Sequence, residues 1–384
     1  VGLLPERIER ARSLLARHVA DGRSPAVVAL VARRGVVVLD ESYGLLRPGG
    51  PALPRDAIFP ITSMTKPITA TLAMQLVEDG RLGVGRPARE YLPELSGDGI
   101  DDVLVHHLLT HTSGWDDEGV LAWVGEKIAA GEKPELPPHA HPFHHLTLAL
   151  GLDAPRKEPP GEIMLYCNFN YTLLGEIVAR VAGKPLPELA RERLFEPLGM
   201  RDSDYVVRDD MRERLLVRPE GAPMKDTLVS APLPGVESSA WEQMPNGAAG
   251  AFSTARDMAV FAQTFLNGGR YGEARILSPP AVAEMTRNQI PGVAARFVDQ
   301  TIPEGGYGYG WIVRTWVCWP YFFGLTPLGS YSHTGAGGNA FWIDPANETI
   351  QVVLEACADL SEMLEPRGWI FDRFQSVVAS AIDD

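Results

Sequence analysis

Apolar side chains recur at helical spacing at Ile8, Ala11, Leu15 and Val19, and Gly22 follows as a stop signal. The spacing predicts an amphipathic helix there. Two short apolar runs, 27–32 and 36–40, come next with Arg34-Gly35 between them, the pattern of a β-hairpin. Ile68, Leu72 and Leu76 then share one face of a helix that Gly80 closes, with Pro67 tolerated in its first turn. Further helices are expected over 173–181 and around Met258, Phe261 and Phe265, the latter opened by a capping-box variant of Thr254 and Asp257. Beyond position 305 the period changes to that of strands: 309–317, 331–335, and 340–343 paired with 350–355 across Asp344-Pro345-Ala346-Asn347. Residues 368–382 read as a closing helix.

Strands at both ends with helices between them predict an α+β fold, an antiparallel sheet flanked by helices with an inserted helical domain. The expected division is a first part of the α/β domain over 1–85, a mostly helical insert over 86–195, and the second part of the α/β domain over 196–384. Within the insert, the Pro- and His-rich segment 135–145 reads as a surface loop.

Composition narrows the functional classes. Hydrophobic residues make up 45% and charged residues 22%, enough for a sizeable core without covalent staples. The formal net charge of -14 repels polyanions, so no nucleic-acid partner is expected. The three cysteines, Cys167, Cys318 and Cys357, form no disulfide framework, and Cys167 reads as a small buried filler. No apolar run reaches the roughly 18 residues of a membrane span. With no apolar leader core near Val1, the cytoplasm is the expected compartment, an export segment removed earlier remaining open.

Three short motifs carry the chemistry. Ser63-Met64-Thr65-Lys66 puts a hydroxyl and an amine on one face at a helix start, where free N–H groups favour a developing anion. A buried lysine can lose its proton and serve as base to that serine. Tyr166-Cys167-Asn168 and His333-Thr334-Gly335 follow in order. Read together as S-x-x-K, Y-x-N and H-T-G, they resemble the motif set of serine β-lactamases and penicillin-binding proteins. With tyrosine in the middle motif, the chain is similar to class C β-lactamases, D-alanyl-D-alanine peptidases and family VIII carboxylesterases. The segments His107-Leu108-Leu109-Thr110-His111-Thr112-Ser113-Gly114, Ser253-Thr254-Ala255-Arg256-Asp257 and Phe341-Trp342-Ile343-Asp344-Pro345 extend the likeness over nearly the whole chain.

The resemblance implies a β-lactamase/transpeptidase-like fold and an acyl-enzyme on Ser63, with Lys66 and Tyr166 as base and proton shuttle in an order the sequence leaves open. It places Asn168, His333, Thr334 and Gly335 at the substrate, and the N–H groups of Ser63 and Ala336 as the oxyanion hole. No cofactor or metal is expected, and the partner is a small-molecule ester. The leading expectation is a carboxylesterase for short-chain esters. A β-lactamase, a D-Ala-D-Ala carboxypeptidase or aminopeptidase, and an acyltransferase share the same fold, which does not choose among them. A silent binding homologue is disfavoured by the intact Ser63, Lys66 and Tyr166. His333 replaces the lysine of K-T-G and removes a permanent charge from the substrate strand, which favours neutral esters.

Rival chemistry centres on histidines. His139, His141, His144 and His145 cluster, and His107 and His111 stand four apart as on a zinc-binding helix, but no H-E-x-x-H accompanies them. The chain also lacks the G-x-S-x-G of a nucleophile elbow. Trp115, Trp123, Trp241, Trp311, Trp316, Trp319, Tyr321 and Phe322 are candidates for an apolar pocket, with core packing the commoner use of such residues.

Overall fold

Helix α1 (Pro5–Ala20) leads into the hairpin of β1 (Ala26–Arg33) and β2 (Val36–Gly44). Helix α2 (Thr65–Glu78) follows, then a mostly helical stretch holding α3 (Asp117–Ala129) and α4 (Asn168–Ala182). Helix α5 (Ala255–Leu266) precedes four strands, β3 (Ile312–Val313), β4 (Tyr331–Gly335), β5 (Asn339–Asp344) and β6 (Thr349–Glu355), and helix α6 (Phe371–Ala379) comes after them. The computed structural model describes residues 1–135, 142–217, 245–297, 300–316, 324–356 and 370–384.

The six strands form one antiparallel sheet in the order β3-β4-β5-β6-β1-β2. β1 is apolar at every position but its last and is buried along its whole length, so both of its faces are covered. Val27, Ala29 and Val31 pack with Ile8, Ala11 and Leu15 of α1 and with Phe371 and Phe374 of α6. Val28 and Leu30 point the other way, into a core with Ile61, Met64, Ile68, Met258 and Phe261. Period-2 alternation thus builds a helix–sheet–helix sandwich, the α+β architecture expected. Helix α2 is buried from Thr65 to Leu76 on all sides, which suits its run of small and β-branched residues and fixes it rigidly behind the sheet.

Local chemistry sets the turns. Arg34 and Gly35 both take positive φ, 50° and 75°, as a two-residue hairpin turn requires. At the β5–β6 turn the Asp344 carboxylate accepts from Asn347 N at 3.1 Å and from Asn347 Nδ2 at 2.6 Å. Thr254 Oγ1 accepts from Asp257 N and caps α5, but the Asp257 carboxylate turns to Asp202 N and Ser203 Oγ instead of completing a capping box.

The strand expected over 309–317 shrinks to Ile312–Val313. Gly310 holds φ of 82°, and a Cβ there would lie 2.7 Å from Ala70 Cβ, so this segment turns to pack its backbone on α2. The part of that range from residue 317 onward lies outside the described residues, as does the start of the expected closing helix up to residue 369. Among the described residues no helix is long and apolar enough to cross a membrane.

Candidate active site

Ser63 sits in the 3-10 turn Thr62–Met64 that runs into α2, so Ser63 and Lys66 straddle the junction of the two helical forms. Thr62 holds a φ of 49°, a conformation costing a β-branched residue about 1–3 kcal/mol. Two bonds keep it there: Thr62 Oγ1 donates to the Ala336 carbonyl at 3.1 Å, and Asn339 Nδ2 donates to the Pro60 carbonyl at 3.0 Å. They tie the entry of α2 to the β4–β5 turn. The backbones come this close because residue 335 is glycine. A Cβ on Gly335 would lie 2.4 Å from both Ile61 O and Thr62 Oγ1. Gly335→Ala should cost about 1–3 kcal/mol and lower turnover, because strand and helix entry must separate. A urea-unfolding midpoint and a kcat both equal to those of the parent protein would contradict this.

The Lys66 amine is fully buried and makes three contacts. Nζ lies 3.0 Å from Ser63 Oγ, 2.8 Å from Asn168 Oδ1 and 3.0 Å from the Ala248 carbonyl. Burial pushes it down to about 7 from the ordinary 10.5, against the opposing pull of Asp117 and Cys167. The amine therefore exchanges its proton near neutrality. When it is neutral, its two hydrogens go to the two carbonyl oxygens, which can only accept, and its lone pair is left facing Ser63.

Tyr166 completes the surroundings of Ser63, with which its hydroxyl shares a hydrogen bond. Its ring lies 4.8 Å from Lys66 Nζ, and burial pushes the phenol well above its ordinary value. Tyr166 and Cys167 follow the short strand Ile163–Leu165 and are pinned to the 107–114 segment. Leu165 N donates to the His111 carbonyl at 2.9 Å and Cys167 N donates to His111 Nδ1 at 3.1 Å. The His111 ring packs on Tyr166 with centroids 4.4 Å apart. Cys167 is buried and its thiol, pushed up by desolvation, lies 3.3 Å from Asp117 Oδ1, which fits the filler reading.

Asp117, which the motifs did not single out, stands behind Asn168. Its carboxylate accepts from Asn168 N at 2.7 Å, Phe169 N at 3.2 Å and Asn168 Nδ2 at 2.6 Å. It thereby caps the N-terminus of α4, where a negative charge is favoured.

His333 is placed differently from expectation. It is 1% exposed and lies behind the cleft wall rather than on it. Nδ1 donates to the Thr334 carbonyl at 2.7 Å, so Nε2 accepts from the Tyr307 hydroxyl at 3.1 Å. Burial pushes the imidazole down to about 3, and it is neutral at physiological pH. Ser63, Tyr166, Thr334 and Ala336 are half-buried and Asn168 is exposed, so these residues form the open side of the site, with Lys66, His111, His333 and Gly335 behind them.

The rival sites separate. His107 lies in the short helix Val105–Leu109 and accepts from Leu104 N, whereas His111 lies past its end with φ of 59°, so the two do not share a helix face. His139 and His141 lie outside the described residues, and among the described residues no three His, Cys, Asp or Glu side chains gather as metal ligands. Trp115 and Trp311 are core residues, the first donating to the Ala154 carbonyl, the second packed among Phe261, Phe265 and Phe341. Trp316 is 88% exposed, and Trp241, Trp319, Tyr321 and Phe322 lie outside the described residues.

Comparison with known proteins gives the family. The beta-lactamase family model matches residues 11–362. Esterase EstB of Burkholderia gladioli is 30% identical over 326 residues, 78% of each chain. Protein Rv1367c of Mycobacterium tuberculosis is 28% identical over 375 residues, 90% of this chain and 89% of that protein. The solved structure of EstCE1, described as a hydrolase with promiscuous acyltransferase activity, superposes with a TM-score of 0.74 at 22% identity over 98% of both chains, a likeness of fold. The chain belongs to the beta-lactamase family of serine hydrolases.

Proposed function

We propose that the protein hydrolyses neutral, short-chain carboxylic esters through an acyl-enzyme on Ser63. The observation that carries this reading is the Lys66 amine, held 3.0 Å from Ser63 Oγ by two oxygens that can only accept. Lys66 is the base: its amine titrates near 7, whereas the Tyr166 phenol is pushed up and stays protonated. Ser63 Oγ attacks the ester carbonyl carbon as its proton passes to Lys66 Nζ. The carbonyl oxygen becomes an oxyanion between the N–H groups of Ser63 and Ala336. Cleavage of the ester C–O bond releases the alkoxide, which takes a proton relayed from Lys66 by the Tyr166 hydroxyl. Water then attacks the acyl carbon, giving its proton back through the same groups, and Ser63 is restored.

Ester preference follows from charge. The β4 strand carries a buried neutral histidine and so no positive charge that would draw a carboxylate, and the EstB relative is named an esterase. The ratio of kcat/KM for p-nitrophenyl butyrate to that for a chromogenic cephalosporin at neutral pH should exceed about 10², the gap of a lost charge-assisted contact. A ratio below one would replace the esterase reading by the β-lactamase one.

A further inference from the structure

We infer that Asp117 is a positioning residue that locks the Asn168 amide in the one orientation that lets Lys66 present its lone pair to Ser63. The inference rests on the reading of Lys66 as the base. An amide can face a neighbour with either its oxygen or its nitrogen, and only its partners decide which. Asn168 lies between two groups that admit no choice. Lys66 Nζ, 2.8 Å away, approaches as a donor, and the Asp117 carboxylate, 2.6 Å away on the other side, can only accept. Nδ2 must therefore point to Asp117 and Oδ1 to Lys66. The carboxylate is itself fixed by Asn168 N and Phe169 N at the start of α4, and by its own place at the start of α3.

A neutral amide at position 117 satisfies either orientation of Asn168. The flipped one sets Nδ2 against Lys66, where the amine must spend its lone pair on Asn168 and lose it for Ser63. The titratable groups facing the amine are Tyr166 and Cys167 before α4, Tyr171 on α4, His111, His333 on β4, and Asp117. Asp117 supplies the carboxylate in this set and favours the charged amine, so its removal also eases deprotonation.

The test compares Asp117→Asn with the parent protein. Hydrolysis of p-nitrophenyl butyrate should show kcat lowered about 10- to 100-fold with KM within about twofold. In an Asn168→Ala background, Asp117→Asn should add almost nothing, since the carboxylate acts through that amide. The Lys66 amine, followed by nitrogen-15 NMR without substrate, should titrate about one pH unit lower in Asp117→Asn. That measurement is independent of which ester is cleaved. A parent protein that lacks esterase activity but shows the NMR shift sinks the esterase reading and keeps this one. Asp116→Asn, at a cap that pairs with Lys157 on the surface, should leave all three readouts unchanged. Asp117→Ser, a smaller cap without charge, should reproduce the shift if Asp117→Asn folds poorly. An unchanged Lys66 titration, or losses that add fully in the double variant, would overturn the assignment.

Discussion

Ser63→Ala should lower kcat for p-nitrophenyl butyrate by at least about 10⁴-fold while the unfolding midpoint moves little. The large effect follows from what the remaining groups can do. Lys66, Tyr166 and Asn168 keep their positions in this variant, because Lys66 still has Asn168 Oδ1 and the Ala248 carbonyl as partners. They have no atom left to activate that can form an acyl intermediate. The half-buried hydroxyl is lost from an open position, so no sealed cavity is created. Substrate binding should survive, and KM should change far less than kcat. Retention of more than about one-tenth of the parent kcat would remove Ser63 from the reaction.

Lys66→Met and Lys66→Arg should each lower kcat about 10²- to 10⁴-fold. Methionine removes the amine and keeps the apolar length of the side chain. Arginine keeps a positive charge but cannot give up its proton. If the role of Lys66 were to hold a fixed charge beside Tyr166, the arginine variant would retain much of the activity that the methionine variant loses. Equal losses mark a base. In the parent protein the same group sets the pH dependence: kcat should rise as the amine is deprotonated, with a midpoint at about 7. The sign for stability is the same. The buried amine titrates at about 7 and the unfolded one at 10.5, so between these values the unfolded chain holds more protons and the contribution of Lys66 to stability improves as pH rises.

The sandwich was readable because its signals are local. The short apolar runs at 27–32 and 350–355 and the helical period at Ile8, Ala11 and Leu15 each depend on a few neighbouring residues. The segment at 309–317 misled because a run of strand-forming residues was bent by Gly310 onto α2, a tertiary contact with no local signature. Ser63, Lys66, Tyr166 and Asn168 were visible because they fall in short motifs at fixed spacing, and the structure brings all four together. The partners that orient them were not. Asp117 is 51 residues from Asn168, and the Ala248 carbonyl is 182 residues from Lys66. A lone aspartate next to a signature, and a backbone oxygen in a glycine-alanine run, carry no pattern of their own. His333 shows the opposite failure. Its motif lies on the strand beside Ser63, but its imidazole serves Tyr307 behind the wall, and a lysine substituted there would enter a buried polar network rather than meet substrate.

The acyl-enzyme on Ser63 is tested by covalent labelling with a fluorophosphonate, followed by intact-mass spectrometry and peptide mapping across a pH series. A single adduct should form on Ser63, be absent from Ser63→Ala, and form faster as pH rises with a midpoint at about 7. An adduct on Ser113 or Ser332, or labelling of Ser63 at a rate that ignores pH through that range, would contradict it.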